Sequence, residues 1–191
     1  MNPSQTQLLQ RLQTYSLDQS GTQFTLSQRL ARENCWSVAY TRRVIEEYKK
    51  FAFLAVVAGH PVTPSDQVDQ VWHLHLTYTR SYWETFCLQI LQTPLHHEPT
   101  QGGETEDNKF NDWYGRTLAS YQQFFNAAPP VDIWPTPADR FSPNLEFVRI
   151  NLQHSWLLPK PTFNPPIKSY PSRFRQLWRK LFRKPTTALS P

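Results

Sequence analysis

The fold of this chain is decided by one stretch, WSVAYTRRVIEEYKKFAFLA, at residues 36–55. Within it, apolar and aromatic residues recur every three or four positions, which is the period of one face of an α-helix. The members of this stripe are Trp36, Tyr40, Val44, Tyr48, Phe51 and Ala55. The pattern predicts one helix from Leu26 to Ala58, and Gly59 is a suitable residue for its C-terminal end.

Further helices are expected on both sides of this stretch. Toward the N-terminus, Leu8, Leu9 and Leu12 at helical spacing predict a short amphipathic helix over Ser4–Leu17. Downstream, Thr63-Pro64-Ser65-Asp66 has the composition of a helix start. Thr63 is expected to cap this helix, and proline suits the first helical position because its missing N–H has no partner there anyway.

The helix that starts there carries the run VDQVWHLH at residues 68–75. Helical spacing puts Asp69 beside His73 on one side. The other side is predicted to carry Val68, Val71, Trp72 and His75. A break is expected at residues 76–79, where Thr79 can cap a second helix that ends before Pro94. The apolar positions of that helix are Tyr82, Trp83, Phe86 and Ile90.

The last long helical pattern covers Glu104–Phe125, so that His96 and His97 fall in a loop. The expected fold class is therefore all-α, mainly a helical bundle, with a Pro-rich and largely irregular C-terminal segment. Of the 17 prolines, 12 lie beyond residue 128. We expect a helical domain at 1–135, a Pro-rich extended segment at 136–171 that wraps or links, a basic amphipathic helix at 172–184 and a disordered tail at 185–191. Val131–Pro135 is predicted to be extended, and Leu145–Ile150 is a candidate strand.

Composition narrows the class of function. The chain contains no Gly-rich phosphate loop, no dinucleotide fingerprint and no serine-hydrolase pentapeptide, so nucleotide or serine-nucleophile chemistry is not expected. The first residues lack the pattern of a signal peptide, and no segment approaches the roughly 20 apolar residues that span a bilayer. We therefore expect a cytoplasmic protein in which Cys35 and Cys87 are free thiols.

Metal-ligating side chains are concentrated in one part of the sequence. The 25 positions from His73 to His97 hold two thirds of the six histidines and one of the two cysteines. A zinc ion takes about four nitrogen, sulfur or oxygen donors in a tetrahedron. The candidate ligands are His73, His75, Cys87, His96 and His97, with Asp69 as a ligand or as the partner of one. Since His73 and His75 point about 200° apart on an unbroken helix, a shared site requires a break.

Two other interpretations of these residues remain open. In the first, His73 pairs with Asp69, His75 packs beside Trp72, and Cys87 is a small buried apolar residue, so that no metal is bound. In the second, a zinc ion with an open position activates water for hydrolysis, and Asp69 or Glu98 acts as general base.

The same residues resemble a known family. The order of Glu47-Tyr48-Lys49-Lys50-Phe51, Pro64-Ser65, VDQVWHLH, Tyr82, Cys87 and His96-His97-Glu98-Pro99 is similar to the helical domain of the glycine-rich domain-containing proteins. The resemblance covers roughly residues 36–135. It implies an all-helical domain of undefined biochemical activity, with suggested RNA binding. With five glycines in total, this chain lacks the glycine-rich tail of that family.

The main expectation from the sequence is an interaction or scaffold module that combines the His/Cys-rich pocket with a basic C-terminal segment, and the zinc-dependent hydrolase is the alternative. The chain has a net charge of +5, but residues 168–184 contribute +7, which leaves −2 for the remainder. Basic and apolar residues alternate there at helical spacing, which is typical of a helix that lies on an anionic membrane or binds an acidic protein partner. These residues are Arg173, Phe174, Arg175, Leu177, Trp178, Arg179, Lys180, Leu181, Phe182, Arg183 and Lys184. The alternatives are a terminal helix packed on the domain and a phosphate-binding segment for nucleic acid.

The membrane hypothesis predicts that the full chain floats with anionic liposomes and that the chain ending at residue 171 does not. Each basic residue near an anionic leaflet contributes roughly 1 kcal/mol, so the expected difference is large. Neutral liposomes are the control. Equal flotation of both chains, or flotation of neither, contradicts the hypothesis.

Overall fold

The structure is a computed structural model that describes residues 1–98 and 104–141 together with Trp156 and Leu158. Between Glu104 and Lys109 only the backbone is described. The described residues form helices and no strands, which confirms the all-α class. The α-helices are α1 (Pro3–Thr14), α2 (Leu26–Glu33), α3 (Val38–Val57), α4 (Asp66–Thr77), α5 (Glu104–Phe125) and α6 (Pro137–Arg140), and a π-helix (Ser81–Leu91) lies between α4 and α5.

Helix α3 is the centre of this arrangement. It packs against α1, α2, α4, α5 and the π-helix, so side chains are buried on most of its circumference. Tyr48, Phe51, Phe53 and Leu54 are all at most 1% exposed. Val44, Tyr48 and Phe51 of the predicted stripe are therefore core residues, whereas Trp36, Tyr40 and Ala55 are partly exposed. The other buried apolar residues of α3 face its further neighbours.

The single helix predicted over Leu26–Ala58 is wrong, because the chain breaks into α2 and α3. Cys35 adopts a left-handed conformation with φ 55°, and Ser37 caps α3 by accepting a hydrogen bond from the N–H of Tyr40. Since Trp36 packs against Tyr40 at 5.4 Å between ring centroids, the apolar period continues through the break. The predicted C-terminal end is confirmed, as Gly59 has φ 71°.

The predicted cap of α4 is also wrong. The side chain of Ser65 accepts the hydrogen bond from the N–H of Val68, and the helix begins at Asp66. Thr63 is instead held through its backbone N–H, which donates to the Thr117 hydroxyl of α5 at 2.9 Å. Its own buried hydroxyl has no hydrogen-bond partner. Pro64 thus precedes the cap rather than following it.

The predicted break after the histidines is present at Tyr78, where α4 ends. The helix that follows has π rather than α hydrogen bonding over Ser81–Leu91, and no side chain caps it, so Thr79 does not have the predicted role. A π-helix of this length is unusual, because π-turns mostly occur singly. It ends at Gln92, which is left-handed with φ 61°.

After α5 the chain makes a hydrogen-bonded turn, so the prediction that Val131–Pro135 is extended is wrong. The N–H groups of Ile133 and Trp134 both donate to the Pro130 carbonyl. The turn is held on α3, since Trp134 Nε1 donates to the buried carboxylate of Glu47 at 2.9 Å. Arg43 adds a bidentate pair with Asp132 at 2.8 Å.

The same buried carboxylate joins α3 to α5. Lys50 Nζ lies 2.8 Å from Glu47, and the hydroxyl of Tyr121 donates to it at 3.2 Å. With three polar contacts to its two oxygens, from Lys50, Tyr121 and Trp134, the charge is compensated inside the core. Breaking such a network costs more than forming it contributes, because it leaves a buried charge without a partner.

The helices lie in one unit, Met1–Glu146, and Phe147–Pro191 is a second unit. The short helix α6 packs on α5, so the helical part continues beyond residue 135. The candidate strand at Leu145–Ile150, the basic helix at 172–184, the tail at 185–191 and nearly all of the Pro-rich segment lie outside the described residues. Among the described helices, none combines the length and the apolar character that crossing a bilayer requires.

The cap of α4 can be tested with two neighbouring substitutions. We expect Ser65→Ala to lower the free energy of unfolding by about 1 kcal/mol, because it removes the cap hydrogen bond. Thr63→Val removes a hydroxyl without a partner and is expected to be neutral or stabilising. Urea unfolding of both variants measures the difference, and the reverse order would restore Thr63 as the cap.

Candidate functional site

The two histidines of α4 lie in different environments. His75 is 0% exposed and shares the buried side of α4 with Val68, Val71 and Trp72. His73 has a side chain that is half exposed, and Asp69 lies one turn before it. The predicted division of the helix into two sides is therefore confirmed. Because α4 continues unbroken to Thr77, His73 and His75 do not converge on one point.

A cluster of three side chains lies on the outer side of α4. Asp69 Oδ1 is 2.9 Å from His97 Nε2, and Asp69 Oδ2 is 3.6 Å from His73 Nε2. The two imidazole rings are 4.5 Å apart between centroids. One ligand atom from each of the three residues lies within 4.8 Å of the others, and no other such group occurs among the described residues. We call Asp69, His73 and His97 the Asp–His–His cluster.

The cluster lies at the edge of the core rather than free in solvent. The side chains of Asp69 and His97 are 18% and 17% exposed. The ring of Trp72 meets the imidazole of His97 edge-on, with centroids 4.4 Å apart. One side of the cluster is therefore walled by an aromatic ring, and the half-exposed His73 leaves the other side open to water.

A further carboxylate, Asp66, precedes Asp69 by one turn of α4. Burial raises the pKa of Asp66, the positive charge of Arg140 opposes this, and the negative charge of Asp69 adds to the increase. The two carboxylates thus act on each other electrostatically. The side chain of Arg140 already supplies a positive charge beside Asp66.

His75 is part of the interior. Its Nδ1 is 3.1 Å from the Tyr48 hydroxyl and its Nε2 is 3.4 Å from the Ser81 hydroxyl, which in turn contacts the Tyr15 hydroxyl at 3.1 Å. The surrounding rings are those of Tyr15, Tyr48, Tyr82 and Phe86. Burial lowers the pKa of His75 to about 4, because the cage cannot solvate an imidazolium. His75 is therefore a neutral polar group of the core.

The remaining candidate ligands lie in two other places. Cys87 is 3% exposed, and burial raises the pKa of its thiol. His96 packs beside Trp83 with ring centroids 5.5 Å apart. Of the five proposed ligands, the structure brings together His73 and His97, with Asp69 between them. His75, Cys87 and His96 are each held by other neighbours.

One polar pair of the structure had no signal in the sequence. His60 Nε2 lies 2.7 Å from the Ser120 hydroxyl, and His60 Nδ1 lies 2.8 Å from the Pro61 carbonyl. The pair ties the segment after α3 to the middle of α5. His60 is separated from Ser120 by 60 residues, so only the packing of α5 could reveal it.

The burial of His75 predicts how stability depends on pH. Its pKa is about 4 when folded and 6.5 when unfolded, so the unfolded chain binds more protons between these values. The contribution of His75 to the free energy of unfolding is complete above pH 6.5. It is lost as the pH falls toward 4, and the total loss is about 3 kcal/mol. Urea unfolding of the wild type and of His75→Gln over pH 4–7 measures it. If the free energy of unfolding changes with pH equally in the wild type and in His75→Gln, His75 is not the group responsible.

Comparison with known proteins identifies one family. No curated protein and no solved structure matches the chain significantly. The model of the UCP032817-like family matches residues 9–114, which is more than half of the chain and includes the Asp–His–His cluster. The resemblance to the glycine-rich domain-containing proteins stays a prediction beside this match. The chain belongs to the UCP032817-like family, which is uncharacterised.

Proposed function

We propose that this protein binds a divalent transition-metal ion of the zinc class through Asp69, His73 and His97. The observation that supports it is the convergence of two imidazole nitrogens and a carboxylate oxygen within 4.8 Å. These are donors that zinc accepts at about 2.0–2.2 Å, so small side-chain movements bring them to bonding distance. Two of the three residues were candidates from the sequence, and Asp69 was expected beside them.

The donor set favours zinc and related ions over magnesium or calcium. Imidazole suits zinc, iron and nickel, whereas magnesium and calcium prefer sites made of oxygen alone. Trp72 restricts the ring of His97 from the side, which limits the entropy lost when the ion binds.

Metal and proton compete at this cluster. A hydrogen bond joins His97 Nε2 to Asp69 at 2.9 Å. An ion bound between these two atoms would replace the proton of this hydrogen bond. Its affinity is expected to fall as the solution is acidified, since histidine ligands bind metal only in the neutral form.

Metal-dependent hydrolysis is the second candidate. Three protein ligands and an open position are typical of catalytic zinc sites, whereas structural sites are closed by four. The half-exposed side chain of His73 indicates that water can reach the ion. A zinc ion held by Asp69, His73 and His97 would supply the chemistry for hydrolysis of a carbonyl or phosphoryl group, by making water a stronger nucleophile near neutral pH. Glu98, which follows His97, is the acidic residue nearest in sequence to serve as general base.

The expectation of an interaction module concerns other residues. It rests on the basic segment Arg173–Lys184, which lies outside the described residues, so binding of an anionic membrane or an acidic protein stays a prediction. RNA binding rests on the same segment and on the family resemblance alone. A helical domain with a metal site and a basic C-terminal segment is the arrangement that we propose.

Zinc binding can be tested with neighbouring histidines as matched variants. Untagged wild-type protein is expected to contain about one zinc per chain, and His97→Ala or His73→Ala to weaken its affinity at least about tenfold. His96→Ala is the control, because that ring contacts Trp83 and not the cluster. Elemental analysis and competition with a chromophoric chelator measure binding.

Wild-type protein that contains no zinc, even after incubation with zinc, contradicts the proposal. A loss of zinc affinity in His96→Ala equal to that in His97→Ala also contradicts it. Zinc-dependent cleavage of an activated ester or phosphoester, lost in His97→Ala, is the result expected for the hydrolase candidate. Binding without any turnover supports a structural or sensing site instead.

A further inference from the structure

The π-helix places two residues on one side that an α-helix would separate. Tyr82 and Cys87 are five residues apart, and both are buried. In a π-helix the backbone hydrogen bonds join residues five apart, so these side chains lie one above the other. In an α-helix the same spacing corresponds to a rotation of about 140°. The register of this helix therefore decides which residues its partner segment meets.

The partner segment is the loop that carries His97. The hydroxyl of Tyr82 donates to the Leu95 carbonyl. Burial raises the pKa of the Cys87 thiol, and the Leu95 backbone and the Tyr82 hydroxyl beside it oppose this increase. Leu95 is thus held through its C=O by Tyr82, and its backbone lies close to Cys87. Since Leu95 precedes His97 by two positions, this contact limits where the imidazole can go.

Trp72 connects the same contact to the Asp–His–His cluster directly. Its Nε1 donates to the Tyr82 hydroxyl at 2.8 Å, and its ring meets the imidazole of His97 at 4.4 Å between centroids. Asp69 and Trp72 both belong to α4, so they approach His97 from one element. Tyr82 is therefore bonded to the loop before His97 and to the ring beside it.

We propose that Tyr82 and Cys87, which the π register of Ser81–Leu91 places on one side of that helix, are positioning residues for His97. This inference rests on the proposed metal binding. Neither side chain is assigned as a ligand, because the Tyr82 hydroxyl is bonded to Leu95 and Trp72, and Cys87 is buried outside the Asp–His–His cluster. Their effect on the ion passes through the backbone of the loop. Groups that orient a metal ligand commonly change affinity about 10- to 100-fold when they are removed.

The experiment compares two tyrosines of the same core. Tyr82→Phe removes the hydroxyl that holds Leu95 and keeps the ring. Tyr48→Phe is the matched control, because it also removes a buried hydroxyl, the one that contacts His75, and does not touch the loop. Zinc affinity is measured by chelator competition, and the cobalt(II) absorption spectrum reports the ligand geometry. We expect affinity to fall about 10- to 100-fold in Tyr82→Phe alone.

Cysteine variants supply a rescue. Cys87→Ala removes the polar atom beside the Leu95 backbone and is expected to weaken zinc binding, whereas Cys87→Ser keeps a polar atom there and is expected to restore most of it. A readout without metal is the rate at which diethyl pyrocarbonate modifies His97. We expect this rate to rise in Tyr82→Phe and to stay at the wild-type value in Tyr48→Phe.

The outcomes separate this inference from the proposed function. Wild-type protein that binds no zinc overturns both. Wild-type protein that binds zinc, with Tyr82→Phe equal to it in affinity and in the modification rate of His97, overturns the positioning role alone. Equal weakening in Tyr48→Phe and Tyr82→Phe also overturns it, because general destabilisation then accounts for the effect.

Discussion

The fold depends on hydrogen-bond partners for the polar residues of α3, because other helices surround this helix. Five helices pack around α3, yet α3 carries Glu47 and Tyr48 at positions with little or no exposure. Each must find its partners inside the protein, because a buried polar group without one is costly. Tyr48 takes His75 from α4, and Glu47 takes Tyr121 from α5 and Trp134 from the turn. The polar residues of α3 thus determine which residues of the other helices face it.

The position of His75 has a direct consequence for the candidate site. Two residues along an α-helix correspond to a rotation of about 200°, so when His75 faces α3, His73 must face outward. Asp69, one turn earlier on α4, then lies beside His73 and contacts His97 of the loop that follows the π-helix. The core contact and the outer cluster are therefore two results of one helix orientation. His75, a candidate ligand from the sequence, is thus the histidine that holds α4 against α3.

Local patterns in the sequence predicted most of the helices and one side of the site. The bounds of α5 and the two sides of α4 followed from apolar spacing, since a helix repeats every 3.6 residues whatever it packs on. The break at Cys35 was missed because no glycine or proline marks it and Trp36 continues the stripe. The π register of Ser81–Leu91 and the place of His97 depend on contacts with Leu95 and Trp72. Such contacts between distant segments leave no periodic signal in a single sequence.

The turn that closes on Glu47 sets an order of events during synthesis of the chain. Glu47 and Trp134 are 87 residues apart, so at about 5–20 residues per second the carboxylate emerges several seconds before its indole partner. In that interval α1, α2 and α3 can associate with Glu47 paired only to Lys50 of the same helix, without the hydrogen bonds from Tyr121 and Trp134. The polar network at the centre of the domain is therefore completed only after its last member, Trp134, has left the ribosome.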